Sequence, residues 1–259
     1  RRMQQLELDD SIIARCEKIL VKALQGGREL ARTQVYELLE KEGISCENQR
    51  GYHILWQLAQ QRLLCFGAHA GKQPTFVLLD EWVPAALPME RDEALATLAR
   101  RYFTSHGPAT LSDYVWWSGL KVSDARAGLE AAREKLFSEK IGKEIHWMQN
   151  APSVSAESVS DLHLLPPFDE YLLGYKERSA VLDSRHAREV TPGNNGVFMP
   201  TILQDSRIVG TWKRTPGKNG LKIATNRFDS VSTIPTDSLI AAIERYARFA
   251  GLPVDPLTW

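Results

Sequence analysis

The stretch RTQVYELLEKEGISCENQRGYHILWQLAQQRLLCFGAHAGKQPTFVLL, residues 32–79, decides the reading of the fold. Its first part, residues 32–43, sets Val35, Leu38 and Leu39 at the three-and-four spacing of an amphipathic helix and ends on Gly43, a residue suited to a left-handed cap. After a turn at Ser45-Cys46, residues 48–63 repeat the period with Tyr52, Leu55, Trp56, Ala59 and Leu63. Asn48, Gln49, Arg50 and His53 crowd the start of this second helix, and such side chains hydrogen-bond bases or phosphates. Residues 63–67, a polar tip at 69–74 that carries Lys72, and residues 75–79 then read as a hairpin with a positive tip. Two helices followed by a short hairpin outline a winged helix, which presents one helix and one basic hairpin to nucleic acid.

The plan returns downstream. A helix over residues 92–106 is closed by Gly107-Pro108, and Thr110 caps a short helix with Leu111, Tyr114, Val115 and Trp117 that Gly119 stops. Ser123 is expected to cap residues 124–136, and residues 137–141 and 144–148 flank Gly142-Lys143 as a second hairpin bearing Lys140 and Lys143. The two copies match in pattern rather than in residue identity. A leading helix is expected over residues 10–24, and linkers at 84–88 and 151–161. Three segments follow: a winged-helix unit with its leading helix at 1–83, a second unit at 89–150, and a C-terminal α/β region at 162–259. The last reads as strands at 162–165, 197–203, 207–214 and 221–224, an apolar segment at 168–175, and a terminal amphipathic helix at 236–250. The expected fold class is α+β, with tandem winged-helix units followed by a strand-rich C-terminal region and a terminal helix.

Composition is that of an ordinary globular chain. With 259 residues, 43% hydrophobic and 25% charged, it can bury a sizeable core, while its net charge of zero argues against a wholly basic nucleic-acid protein. A local basic surface remains compatible with that balance. Cys16, Cys46 and Cys65 form no CxxC, and the six histidines show no close metal spacing, so neither a disulfide framework nor a metal site or other cofactor is expected. No apolar run approaches the roughly 20 residues that cross a bilayer, and the expectation is a cytoplasmic protein, nucleoid-associated if bacterial, without a membrane partner. Nothing in the sequence sets an oligomeric state. The chain opens on Arg1 rather than Met, and the expectation is a portion of a longer protein.

Between Arg207 and Arg227 stand Arg207, Lys213, Arg214, Lys218, Lys222 and Arg227 without one carboxylate. This is the strongest electrostatic footprint in the chain, and the tip at 216–220 suits a basic hairpin that reaches phosphates. A solvated hairpin without a ligand is the competing reading. Asp169 and Glu170 form an adjacent acidic pair in an apolar segment, where desolvation raises a carboxyl pKa. Neighbouring carboxylates point different ways, however, and a helix N-terminus beside Phe168, Tyr171 and Tyr175 explains them better than joint acid-base work. Core packing is favoured for Trp116-Trp117 over base stacking. His53 is balanced between phosphate contact and helix packing, and Ser118 lacks a nucleophile elbow.

Several strings carry a family resemblance: residues 51–56 (GYHILW), 80–84 (DEWVP), 107–110 (GPAT), 116–120 (WWSGL), 164–175 (LLPPFDEYLLGY) and 209–212 (VGTW). Together they resemble the AlkZ/YcaQ-type winged-helix proteins over almost the whole chain. The resemblance implies tandem winged helices that grip DNA and, for characterised members, excision of alkylated or crosslinked bases by hydrolysis of the N-glycosidic bond. Those glycosylases carry a Gln-x-Gln or Gln-x-Asp catalytic motif, and neither pattern occurs from Arg1 to Trp259. The nearest strings, Gln4-Gln5 and Gln60-Gln61, have the wrong spacing. No catalytic residue is therefore carried over, and the catalytic unit is expected upstream. Two classes stand: the DNA-binding portion of a base-excising repair protein, and a non-catalytic winged-helix DNA binder or regulator. Duplex DNA is the expected partner in both. The expected contacts are Asn48, Gln49, Arg50, His53, Lys72, Lys140, Lys143, Arg207, Lys213, Arg214, Lys218 and Lys222.

Overall fold

The structure, a computed structural model, describes residues 2–83, 89–151, 162–217, 220–229 and 233–253. The expected linkers at 84–88 and, beyond Ala151, 152–161 lie outside the described residues, as does Lys218. The chain divides into two compact units, Arg1–Pro88 and Met89–Trp259.

The first unit runs α1 (Arg2–Gln5), α2 (Asp10–Leu24), β1 (Leu30–Ala31), α3 (Arg32–Lys41), α4 (Arg50–Gln60), β2 (Leu64–Ala70), β3 (Gln73–Leu78) and α5 (Leu79–Trp82). The Asp9 carboxylate caps α2 by accepting from Ile12 N at 2.8 Å, and the helix buries Ile13, Cys16, Leu20 and Leu24 along one stripe. Strand β1, two residues long, pairs Leu30 with Phe76 to extend the hairpin into an antiparallel sheet of order β1-β3-β2. The sequence reading lacked it, because two residues show no alternation. Glu29 fastens the hairpin: its carboxylate accepts from Thr75 Oγ1 at 2.6 Å and Ala68 N at 3.2 Å. Helix α4 is shorter than residues 48–63 and rotated from the expected face. It buries Gly51, Ile54, Leu55 and Leu58, while Tyr52, Trp56 and Ala59 are exposed.

The second unit begins with α6 (Arg91–His106), α7 (Leu111–Ser118), α8 (Val122–Ala132), β4 (Phe137–Ile141) and β5 (Glu144–Met148). Ala109 and Trp147 exchange backbone hydrogen bonds of 3.1 and 2.8 Å, so the chain between α6 and α7 adds one bridge to the hairpin. Thr110 caps α7 and Gly119 ends it in the left-handed conformation at φ 67°, as the sequence predicts. Helix α8 departs from expectation. Its N-cap is Lys121, without a side-chain cap, so Ser123 lies inside the first turn, and after Ala132 the chain tightens into a 3₁₀ turn at Arg133–Lys135.

The unit continues with β6 (Leu162–Leu165), α9 (Glu170–Leu173), α10 (Ala187–Val190), β7 (Thr201–Gln204), β8 (Arg207–Gly217), β9 (Gly220–Arg227) and α11 (Thr236–Ala250). The four strands form one antiparallel sheet in sequence order. Helix α11 covers it through Ala242 and Ile243, which pack with Leu162, Ile202, Trp212 and Ile223. The strand expected at 197–203 starts only at Thr201, and the strands β8 and β9 are longer than their apolar runs. Segments 89–150 and 162–259 fall in one compact unit. Tyr102 donates to Gly174 O and Tyr175 to His106 O, each at 2.8 Å, and the Arg178 guanidinium lies over both Trp116 and Phe198, at 5.4 and 5.2 Å.

Helices α6 and α8 touch backbone to backbone at Gly128. A Cβ built there would stand 2.5 Å from Leu95 O. Alanine is the better helix former by about 1 kcal/mol, yet overpacking against a backbone that cannot yield costs about 1–3 kcal/mol. Gly128→Ala is therefore expected to lower stability in urea denaturation, against its intrinsic helix gain. An unchanged or raised midpoint would mean that α6 and α8 lie further apart than this approach requires.

Candidate nucleic-acid interface

Asn48 and Gln49 do not begin α4 but form the turn before it, both left-handed at φ 50° and 71°. Both side chains are exposed, and Gln49 Oε1 accepts from the Arg2 guanidinium at 2.8 Å. Arg50 is engaged within the first unit. Its Nε donates to Ser45 O at 3.1 Å and its Nη1 to Leu6 O, so this half-buried guanidinium ties the α1–α2 connection to the turn before α4. His53 is half-buried, edge-on to the Tyr52 ring with centroids 5.2 Å apart. The outward face of α4 carries Tyr52, 54% exposed, and Trp56, 46% exposed, at i and i+4. Sequence reasoning spent these two aromatics on the core. The signal available was that Gly51, Ile54, Leu55 and Leu58 make a complete apolar stripe without them. Lys72 is exposed beside Gly71 at the tip of β2–β3.

In the second unit Lys140 and Lys143 are exposed on the β4–β5 hairpin, Lys143 next to Gly142 at φ 63°. The cations of β8–β9 do not form a single cluster. Register pairs Lys213 with Ala224 and Thr215 with Lys222, so Lys213 and Lys222 share one face, whereas Arg214 pairs with Ile223 on the face toward α11. Arg214 Nη1 donates to Tyr246 Oη at 2.6 Å. Arg207 is exposed at the start of β8, next to the β7–β8 turn.

Both members of the acidic pair have partners within the second unit. Asp169 caps α9 by accepting from Tyr171 N at 2.9 Å. Glu170 Oε2 accepts from Trp117 Nε1 at 3.1 Å and lies 3.2 Å from His106 Nε2, while the other ring nitrogen of His106 meets Ser105 Oγ at 2.8 Å. A buried carboxylate that sequence reasoning passed over, Asp113, is 4% exposed. Its Oδ2 accepts from Thr110 N at 2.9 Å and Thr110 Oγ1 at 2.7 Å; its Oδ1 accepts from Lys176 N at 2.9 Å and Glu177 N at 3.1 Å. Burial alone would raise its pKa, but these donors outweigh burial and hold the carboxyl below its ordinary value. Four bonds use the acceptor capacity of a carboxylate, so Asp113 has no lone pair left to activate water. Among the described residues no group of three His, Cys, Asp or Glu side chains could hold a metal ion, and no helix is long and apolar enough to cross a membrane.

The family described as "DNA glycosylase AlkZ-like" matches residues 1–249. The chain belongs to this family. It is 24% identical over 209 residues to an interstrand DNA cross-link repair glycosylase of Streptomyces sahachiroi, an alignment that covers 77% of this chain and 55% of the relative. The chain thus spans little more than half the length of that curated relative. The solved structure of the Streptomyces sahachiroi DNA glycosylase AlkZ superposes with a TM-score of 0.74 at 21% identity, covering 98% of this chain and 71% of that one. At that identity the superposition speaks to the fold alone.

Several strings behind the family resemblance have structural duties. The Glu81 carboxylate accepts from Gly26 N at 3.2 Å and Gly27 N at 2.7 Å. Tyr171 donates to Ser206 O at 3.0 Å, and Trp212 Nε1 to Leu165 O at 2.8 Å. Asp113 and Glu170 should therefore differ in a stability measurement. Asp113→Asn sets an amide against four donors and is expected to cost about 2–3 kcal/mol. Glu170→Gln, at a side chain 62% exposed, should stay within about 0.5 kcal/mol. Because the folded pKa of Asp113 is depressed, its contribution is present above the unfolded value of about 3.9 and is lost as pH falls through the lower folded value. The gap between wild type and Asp113→Asn should close below about pH 4 in denaturation curves; a gap that stayed constant would remove the carboxylate from the account.

Proposed function

We infer that this chain is the DNA-binding portion of a repair protein of the kind that excises alkylated or crosslinked bases, and that it grips duplex DNA through two winged helices, residues 1–83 and 89–150, and a C-terminal region at 162–259. A cytoplasmic location on the DNA goes with that reading. Family membership supports the repair assignment. The order helix, short strand or bridge, two helices and hairpin, met in both halves, supports the winged helices. Residues 89–150 and 162–259 also have hydrophobic clusters of their own.

The observation that carries the reading is the outward surface of α4 and its hairpin. Asn48, Gln49, Tyr52 and Trp56 are exposed beside the helix start, and Lys72 stands at the wing tip. A helix face with amide and aromatic side chains plus a lysine-tipped wing has the means to meet base edges and phosphates. Lys140 and Lys143 offer the same on the second wing, and Arg207, Lys213 and Lys222 add phosphate contacts from the sheet. In this reading Arg50 serves as a strut, and Arg214, which is exposed, gives one guanidinium N–H to Tyr246. The hydrolytic step is assigned to no residue, since the Gln-x-Gln or Gln-x-Asp pattern is absent from residues 1–259 and the carboxylates considered for it are tied to structural partners. The second reading, a DNA binder without catalysis, uses the same binding surface.

Binding should be weak, indifferent to sequence and steeply salt-dependent, because the groups that meet phosphate are mostly lysines. In fluorescence anisotropy, Lys213→Ala/Lys222→Ala should flatten the slope of log affinity against log salt by roughly 0.9 for each phosphate no longer neutralised and weaken binding more than Lys140→Ala/Lys143→Ala. A smaller effect than that of the wing pair would move the main phosphate surface to the wings, and salt-insensitive binding would sink the electrostatic account. Incubated with methylated or crosslinked DNA, the chain should create no abasic sites; excision that Glu170→Gln abolishes would return that carboxylate to catalysis.

A further inference from the structure

A cleft of about 720 Å³ opens in the second unit between the end of β6, strand β8 and helix α11. Its walls are aromatic and apolar: Pro166, Trp212, Tyr246 and Phe249. The Trp212 ring stands edge-on to Tyr246 at 4.8 Å, with its N–H already given to Leu165 O. What remains toward the cleft is hydrocarbon. Phe249 stands on the last turn of α11, 87% exposed and outside the cluster through which the helix holds the sheet. Two cations line the cleft with their side chains, Arg214, which gives one N–H to Tyr246, and Arg245, which gives one to Leu162 O; no carboxylate lines it among the described residues.

We propose that this cleft takes an unpaired nucleotide of single-stranded DNA, its base against Phe249 and Tyr246 and its phosphates on Arg214 and Arg245. The two halves of the lining point to this one occupant. A cationic rim alone would suit any anion, and an aromatic groove alone would suit a proline-rich peptide that needs no positive charge. Charge and π-faces together match a nucleotide. A paired base cannot use the site, because its faces are covered by its neighbours in the stack. The volume falls in the range of small-molecule pockets and admits a base with its sugar. The inference rests on the DNA-binding reading above and adds to it a preference for DNA with an unpaired stretch or a frayed end.

The test compares three labelled probes on the full chain: a short oligothymidylate, an abasic oligomer of the same length and charge, and a blunt duplex. The oligothymidylate should bind about five- to tenfold more tightly than the abasic oligomer, the gain expected from stacking about one base. Phe249→Ala should erase that difference while leaving the blunt duplex unaffected, and Phe249→Trp should keep it. Equal binding of thymidylate and abasic oligomers would overturn the proposal and leave the cleft an anion trap. Full retention by Phe249→Leu would also overturn it, since an aliphatic residue offers no stacking face and the site would then be an apolar groove for a peptide. If the blunt duplex binds in a salt-dependent way while the base-dependent gain is missing, the cleft alone fails. If no probe binds at low salt, the DNA-binding reading fails with it.

Discussion

Four hydrogen bonds converge on the Asp113 carboxylate, two from Thr110 and two from the backbone at Lys176 and Glu177, and much of the second unit is arranged around keeping that charge satisfied. The residue is buried, so any opening that removed two donors would leave an ionised group short of partners in apolar surroundings, at a cost of several kcal/mol. The start of α7 and the chain that leaves α9 are held together for that reason. Around this point the aromatic side chains of Tyr102, Tyr114 and Trp117 close the gap, with Tyr102 stacked on His106 at 4.7 Å between centroids. Each of the two tyrosine-to-carbonyl bonds, from Tyr102 and Tyr175, adds a directional tie to that packing.

The sequence made long periodic elements legible and side-chain direction much less so. Helices α2 and α11 lie where their apolar period put them, Asp10–Leu24 and Thr236–Ala250, since a full amphipathic stripe with clear ends has one solution. At α4 the period was seen but its phase was misjudged. Tyr52 and Trp56 carry large apolar rings that fit a core as well as a surface, and the stripe of Ile54, Leu55 and Leu58 with Gly51, whose Cβ would meet the Tyr36 ring at 2.6 Å, reveals which side faces α3. Arg50 was unreadable for another reason: its partners Leu6 O and Ser45 O are backbone carbonyls, which leave no mark on the sequence. Likewise the run from Arg207 to Arg227 shows six cations as one cluster, and strand alternation then sends Lys213 and Arg214 to opposite faces. Asp113 escaped notice because a Thr-x-x-Asp spacing announces a helix cap but not the two donors that arrive from 63 and 64 residues away.

With a net charge of zero the chain has no overall field to draw in a polyanion, so any attraction must come from how the cations are placed. On β4–β5 the register sets Lys140 opposite Ile145 with Glu139 and Glu144 close by, and these carboxylates dilute the field of the two lysines. The segment from Arg207 to Arg227 holds no carboxylate at all. At physiological ionic strength screening acts over roughly 8 Å, so such local differences outweigh the balance of the whole chain. For this reason the proposed reading ranks the sheet above the β4–β5 hairpin as a phosphate surface.

Charge and aromatic surface answer different parts of recognition. Lysines on strands attract any phosphate chain and carry little information about its bases. Tyr52, Trp56 and Phe249 are exposed on helices whose other faces are fixed by the core, so the backbone that carries them is held while the residues themselves face water. An aromatic side chain has two torsions to order when it meets a base, fewer than a long cation has on contact with phosphate. On the proposed reading the lysines would set how strongly the chain adheres to DNA at a given salt concentration, while the rings would decide whether a stacked or an open stretch is preferred.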